Sequence, residues 1–171
     1  MTADTELDAT ARIARDLIRI DTTNWGEGKS VGETIAAEYV EAELRRLGLA
    51  PELFDSAPGR TSVVARVPGR DSSRPALVLH GHLDVVPADP ANWSVDPFSG
   101  EVKDGMLWGR GAVDMKDMDA MILTALDDIL SSGRRANSSS RSSPTRRTAA
   151  STTRTSSSTP SRSCSPARPR R

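Results

Sequence analysis

The stretch LVLHGHLDVVP, residues 77–87, contains both histidines of this 171-residue chain. If a β-strand runs through it, alternation of side chains places His80, His82 and Asp84 on one face. His82 and Asp84 are then neighbours, and a carboxylate can accept one ring N–H while the other ring nitrogen binds a metal. An isolated pattern of this kind also suits two ordinary histidines at a strand end, so both interpretations stay open.

Helical and strand-like segments alternate around this stretch. Leu7 to Ile18 has helical spacing and is followed by a polar stop at residues 21–24, and a capping-box pattern begins a second helix at Ser30 that ends before Gly48. The remaining predicted elements are strands at Glu52–Phe54, Thr61–Val67 and Ala76–Leu79, a hairpin over residues 100–109, and a helix over residues 115–130 that ends near Gly133. This order predicts an α/β layer structure.

A second candidate cluster is GRGAVDMKDMDA, residues 109–120. It places Asp114 between a glycine-flanked turn and the start of the last predicted helix. A short acidic side chain there can be a metal ligand, or it can cap the helix and contribute about 1 kcal/mol. For the predicted helix we expect an apolar face formed by six residues: Met118, Met121, Ile122, Ala125, Ile129 and Leu130.

The composition changes abruptly near Arg135. Residues 1–135 carry 15 basic and 23 acidic residues, a net charge of −8, whereas residues 136–171 carry eight arginines, no acid and no lysine. The second segment has no aliphatic residue larger than alanine, so burial cannot offset its ordering entropy. We therefore expect a folded part at 1–135 and a disordered Ser/Arg/Thr/Pro tail at 136–171.

The chain shows no secretory signal and no apolar run long enough to span a bilayer. Its one cysteine, Cys164, cannot form a disulfide within the chain. These features predict a cytoplasmic protein that has no membrane partner.

Three blocks together, HGHLDVVP (80–87), NWSVDPFSG (92–100) and DGMLWGRGAVDMK (104–116), resemble the signature of a known family. It is the family of zinc-dependent exopeptidases and deacylases that includes acetylornithine deacetylase, succinyl-diaminopimelate desuccinylase, aminoacylase and related carboxypeptidases and dipeptidases. The similarity runs from the first helix to about Leu130. It implies the N-terminal portion of a two-zinc aminopeptidase/carboxypeptidase-like catalytic domain.

The resemblance also implies roles for individual residues. His82 matches a ligand of one zinc, Asp114 the carboxylate that bridges both zincs, and Asp84 the catalytic-site group that orients His82. His80 matches a motif position that is not a ligand, and Asp117 stands where many relatives have glycine. The implied cofactors of the intact family site are two zinc ions, with cobalt as an alternative, and we do not expect this chain to bind them fully. The implied substrates are small peptides or N-acyl amino acids, and intact relatives commonly dimerise through an inserted lid domain.

Other residues of the family site are missing from this sequence. In relatives the general base is the first glutamate of a Glu-Glu pair, and further carboxylate and histidine ligands follow. After Asp128 this chain contains no acid, and after His82 it contains no histidine. Two ligands leave each zinc under-coordinated and no base in place. We therefore expect a metallohydrolase fragment that is inactive as written, with an open sheet edge, an exposed apolar helix face and poor solubility.

An out-of-frame translation would explain the tail. Residues 144–150, PTRRTAA, can be encoded as CCG ACG AGG AGG ACG GCG GCG. Regrouped from the last base of each codon, these bases read GAC GAG GAG GAC GGC, or Asp-Glu-Glu-Asp-Gly. Our hypothesis is that the frame is lost near residues 134–136, in the gene or through a sequencing error. The alternative is a Ser/Arg-rich segment that binds nucleic acid or another partner. We favour the frameshift and do not expect nucleic acid as a partner.

Overall fold

The structure is a computed structural model that describes residues 7–133. The predicted tail and the predicted boundary at Arg135 lie outside these residues. The described part contains helices α1 (Ala9–Ile18), α2 (Thr34–Arg46) and α3 (Lys116–Ser131), and a short 3₁₀ helix at Pro90–Asn92. Six strands form three separate antiparallel pairs: β1 (Asn24–Gly26) with β2 (Lys29–Ser30), β3 (Glu52–Ala57) with β4 (Arg60–Val64), and β5 (Glu101–Lys103) with β6 (Met106–Trp108).

Helix α1 confirms the first predicted helix. Asp8 is its N-cap, and the Asp8 side chain accepts a 2.7 Å hydrogen bond from the backbone N–H of Ala11. Such a bond satisfies one of the free N–H groups of the first turn. The apolar residues Ile13, Leu17 and Ile18 are buried on the side that packs against the rest of the fold.

Helix α2 begins later than the capping-box pattern predicts. Its N-cap is Glu33, which makes no side-chain cap, and Ser30 lies in β2 with its hydroxyl accepting from the N–H of Gly32. A turn between Ser30 and Glu33 uses the hydroxyl, so the predicted capping box does not form. The C-terminal prediction is confirmed, since Gly48 follows the helix with φ +79°, a conformation that glycine adopts without strain.

Both short hairpins follow local sequence signals. In β3–β4, Glu52 pairs with Val64, which confirms two of the predicted strands. In β5–β6, Glu101 pairs with Trp108, and the predicted Asp-Gly turn has φ +55° and +73°, as a two-residue turn with left-handed residues requires.

The predicted strand at Ala76–Leu79 is wrong. Residues 76–84 have no regular secondary structure, and Leu77, Val78 and Leu79 are 81%, 77% and 57% exposed. A strand needs a neighbour to complete its ladder of backbone hydrogen bonds, and no described strand lies alongside this stretch. Only its end is paired, through one parallel bridge between Thr23 and Val85.

The predicted apolar face of α3 is also wrong. The buried residues of α3 are Lys116, Ala120 and Leu123, whereas Met118 and Met121 are 45% and 44% exposed. Helix α3 has apolar residues on more than one side. The side that packs against α1 is the one with Ala120 and Leu123, whereas the sequence pattern predicts burial of the side with Met118 and Met121.

The core joins all three helices around small and aliphatic side chains. It consists of Ile13, Ala14, Leu17, Ala36, Val40, Leu44, Ala120 and Leu123. The mixed helix and strand content agrees with a partial catalytic domain of the α/β class, but the described strands do not join in one layered sheet. Among residues 7–133 we find no helix that is long and apolar enough to cross a membrane.

Candidate metal centre

Residues 82–84, His-Leu-Asp, form the HLD segment, which is anchored to the end of α1 through the polar residues that follow the helix. The backbone N–H of Asn24 donates to the carbonyl of Val85 (2.9 Å), and that of Val85 donates to Thr22 (3.2 Å). The buried Thr22 hydroxyl donates to the carbonyl of Leu83 at 2.6 Å. These bonds hold the irregular stretch in place just where His82 and Asp84 emerge.

The loop that carries Asp114 is anchored by Lys116 and Gly111. Lys116 is fully buried, and its Nζ donates to the carbonyls of Leu17 (2.9 Å) and Ile20 (2.8 Å) at the end of α1. Burial lowers the pKa of Lys116 to about 8. Gly111 has φ +82°, and a Cβ there would lie 2.7 Å from a methyl group of Val85, so glycine allows this loop to pack against the HLD segment.

These two anchored segments bring the three predicted site residues together. Nε2 of His82 lies 3.2 Å from Oδ1 of Asp114. Nδ1 of His82 lies 3.0 Å from the main-chain carbonyl of Asp84 and 3.4 Å from its carboxylate Oδ1. Asp114 does not cap α3, since the N-cap is Met115 and the Asp114 side chain is 86% exposed. The alternative role of Asp114 as a helix cap is therefore excluded, and His80 remains exposed.

Opposing effects act on the His82 imidazole. Burial favours the neutral ring, but hydrogen bonds to the Asp84 carbonyl and the Asp114 carboxylate outweigh it and raise the pKa of His82. The surroundings of His82 thus favour positive charge at this position.

The second oxygen of Asp84 has partners that motif analysis missed. Oδ2 accepts a 2.9 Å hydrogen bond from Nδ2 of Asn24 and lies 3.8 Å from a guanidinium nitrogen of Arg60. Arg60 in turn pairs with the buried Glu33, with 3.0 Å between Nε and Oε2. The polar run at residues 21–24 was a signal for Asn24, but nothing local in the sequence marks Arg60 or Glu33.

An open cleft of about 930 Å³ lies against the pair formed by His82 and Asp114. Trp25 and Arg110 also line it. The guanidinium of Arg110 stacks over the ring of Trp93, with its carbon 5.2 Å from the ring centroid, and donates to the carbonyl of Pro87. The metal-ligand candidates are therefore accessible to a small molecule.

The distance between His82 and Asp114 suits two ligands of one zinc ion, but two ligands are fewer than a zinc site needs. Two ligands about 2.0 Å from one tetrahedral zinc are about 3.3 Å apart, close to the 3.2 Å between His82 and Asp114. A catalytic zinc needs about three protein ligands. Within residues 7–133 no group of three His, Cys, Asp or Glu side chains could hold a metal ion.

Comparison with known proteins supports the resemblance. Residues 78–139 match the model of peptidase family M20/M25/M40. The chain is 41% identical to a succinyl-diaminopimelate desuccinylase from Gluconacetobacter diazotrophicus over 74% of its length and 31% of the relative's. It is 32% identical to an N-fatty-acyl-amino acid synthase/hydrolase from Xenopus tropicalis, over 71% of this chain and 24% of the relative. It is 37% identical to an aminoacylase-1 from Sus scrofa, over 53% of this chain and 23% of the relative.

This match and these relatives confirm the resemblance to peptidase family M20/M25/M40 that the motifs predict for the N-terminal part of the chain. The chain spans about a quarter to a third of the length of the curated relatives it matches.

Proposed function

We propose that residues 7–133 carry one part of the two-zinc site of an amide hydrolase. His82 and Asp114 would be metal ligands, with Asp114 as the bridging carboxylate, and Asp84 would orient His82. The observation that carries this proposal is the pairing of His82 Nε2 with Asp114 Oδ1 at 3.2 Å while Nδ1 faces Asp84. Nδ1 thereby faces a hydrogen-bond acceptor, as the non-ligating nitrogen of a metal-binding histidine does. Nε2 is directed at Asp114, the second proposed ligand.

Each side chain has a distinct part in this arrangement. Asp84 keeps a proton on Nδ1, so the Nε2 lone pair is directed into the cleft, and Asp114 supplies negative charge beside it. When bound, two zinc ions lower the pKa of a water and polarise the carbonyl of the substrate. The cleft-lining carboxylates of the described residues are Asp84 and Asp114, and both have these other roles. We infer that this chain has no general base and does not turn over substrate.

The proposed substrate class is a small peptide or an N-acyl amino acid. Support comes from the names of the relatives, among which are a desuccinylase, a fatty-acyl-amino acid hydrolase and an aminoacylase. We further propose a cytoplasmic location and, for an intact protein of this family, a homodimer. The frameshift hypothesis for residues 136–171 belongs to the same proposal, because it accounts for the missing base and ligands.

Metal titration of the full chain tests the proposal. We expect Co²⁺, a spectroscopic substitute for zinc, to bind the wild-type chain weakly, because only two ligands are present, and His82→Ala or Asp114→Ala to abolish binding. His80→Ala is the matched control, since it removes the exposed histidine two residues away, and binding should be unchanged. Equal binding by the His82→Ala variant would contradict the ligand assignment. Hydrolysis of an N-acetyl amino acid by the wild-type chain would contradict the inferred inactivity.

A further inference from the structure

We propose that Asn24 and Arg60 are positioning residues for His82, acting through the carboxylate of Asp84. The proposal rests on the function proposed above, in which Nε2 of His82 binds the metal. Neither residue lies in the three sequence blocks that carry the family resemblance, and they belong to different elements, β1 and β4.

The two carboxylate oxygens of Asp84 face different partners. Oδ1 is 3.4 Å from Nδ1 of His82, whereas Oδ2 receives the amide of Asn24 at 2.9 Å and faces Arg60 at 3.8 Å. A carboxylate without partners on one oxygen can rotate about its terminal torsion. Because Asn24 and Arg60 engage Oδ2, they fix that rotation and leave Oδ1 directed at the imidazole.

Asn24 holds Asp84 with its backbone as well as its side chain. Its N–H donates to the carbonyl of Val85, the residue that follows Asp84, and its amide Nδ2 donates to Asp84 itself. The main-chain carbonyl of Asp84 is the nearer acceptor for His82 Nδ1, so its position matters too. A change of the Asn24 side chain leaves the backbone bond in place, which allows the two contributions to be separated.

Arg60 is held by contacts on the far side of the site. Its Nε pairs with Glu33, whose side chain is only 8% exposed and whose pKa is raised by burial against the opposing effect of the Arg60 charge. The Glu33 N–H donates to the carbonyl of Gly59 (2.8 Å), the residue before Arg60, and the hydroxyls of Thr34 and Thr61 lie 2.8 Å apart. The start of α2 thus fixes the hairpin that presents Arg60 to Asp84.

Loss of either partner should weaken metal binding without removing a ligand. Changes to groups that orient a ligating histidine commonly lower metal affinity about 10- to 100-fold. We expect about a tenfold loss for Asn24→Ala. The loss for Arg60→Met should be smaller, because Arg60 faces Asp84 at ion-pair rather than hydrogen-bond distance. Arg60→Lys keeps the charge and should recover part of the affinity.

The test uses the full chain and two readouts. The first is the ¹⁵N chemical shifts of the histidine rings without metal, which report which ring nitrogen carries the proton. His80 serves as an internal reference in the same spectrum. The second is Co²⁺ affinity. The matched control is Arg45→Met on α2, which removes an exposed ion pair with Glu41 away from the site.

The spectra are compared at a pH at which the imidazole is neutral and carries one proton. The expected result is a His82 ring protonated mainly at Nδ1 in the wild type and in Arg45→Met, with a more even distribution between the two nitrogens in Asn24→Ala and Arg60→Met. Circular dichroism should show unchanged helix content in the four chains. Wild-type His82 shifts in both variants would overturn the proposal. If wild-type His82 does not respond to Co²⁺, the proposed function fails, while the metal-free spectra still decide the role of Asn24 and Arg60.

Discussion

Asp114 and Lys116 are two residues apart, yet one is 86% exposed and the other fully buried. The difference follows from their partners. Lys116 places its amine on the carbonyls of Leu17 and Ile20 at the C-terminal end of α1, where positive charge and N–H donors are favoured. Asp114 is exposed and lines the cleft. Lys116 therefore fixes the loop from beneath while Asp114 remains available to a ligand.

Replacement of Lys116 tests this anchoring role. We expect Lys116→Ala to lower the free energy of unfolding by about 3 kcal/mol, because it leaves a cavity and removes the donor to the Ile20 carbonyl. Lys116→Met refills the space of the aliphatic stem and should cost less than half as much. Urea unfolding measures both. An equal loss in the two variants would show that packing of the stem is not what Lys116 contributes.

Asp119 is the second unusual charge beneath the site. Its Oδ2 is buried without a hydrogen-bond partner among the described residues, and its Oδ1 occupies the place that a Cβ on Gly81 would need. Burial raises the pKa of Asp119 from 3.8 to about 6, against the lowering effect of His82 and Lys116. Between these two pH values the folded chain binds more protons than the unfolded chain, so stability falls as the pH rises through this window.

Asp119→Asn should therefore stabilise the chain at pH 7 and have little effect at pH 4. A shift from 3.8 to about 6 in a partly exposed group corresponds to about 1–2 kcal/mol after solvent screening. Urea unfolding at both pH values, with a chelator present to remove metal, measures the effect. Asp128→Asn, on the exposed side of the same helix, is the control and should be neutral. A gain at pH 4 as large as at pH 7 would contradict the assigned cause.

At the scale of elements, α3 has two apolar sides and uses one of them. Ala120 and Leu123 are 0% and 4% exposed against the core, while Met118 and Met121 are nearly half exposed. An apolar surface on a second side of a helix suits burial against a further layer. In the described part of the chain no element covers it.

Two substitutions separate the two sides of α3. Leu123→Ala should cost about 3 kcal/mol in urea unfolding, since it opens a cavity in the core. Met121→Glu should change the free energy of unfolding by less than about 0.5 kcal/mol and should reduce self-association measured by light scattering. A large loss of stability in Met121→Glu would show that this side packs against other parts of the chain.

Local signals in the sequence were sufficient for elements that depend on local contacts. The first helix, the Gly48 terminus and the Asp104-Gly105 turn were predicted because caps, periodicity and left-handed turn residues are read within a few positions. The prediction of a strand at Ala76–Leu79 is wrong because a strand there would need a neighbouring strand, which a local sequence pattern does not reveal. The contacts of Asp84 with Asn24 and Arg60 could not be predicted either, since they span 60 and 24 positions and carry no pattern.

At the scale of the whole molecule, one explanation would account for the exposed apolar surfaces and for the small number of candidate metal ligands. Leu77, Val78 and Met121 are exposed, and among residues 7–133 the proposed ligands are only His82 and Asp114. A missing strand and a missing Glu-Glu pair would follow together if the frame were lost near residues 134–136. The composition of residues 136–171, with eight arginines and no acid, is the sequence observation behind this hypothesis.

Resequencing the gene across the codons for residues 130–155, with translation of all three frames, tests the frameshift. We expect another frame to continue as an apolar strand, a Glu-Glu pair, and later a carboxylate and a histidine. Protein made from that frame should bind two zinc ions and hydrolyse an N-acyl amino acid, whereas the 171-residue chain should not, because only the former supplies a base and a full ligand set. Absence of such a frame would contradict the hypothesis. The arginine-rich segment would then be the feature to explain, and loss of salt-dependent RNA binding on deletion of residues 136–171 would identify it as a nucleic-acid-binding tail.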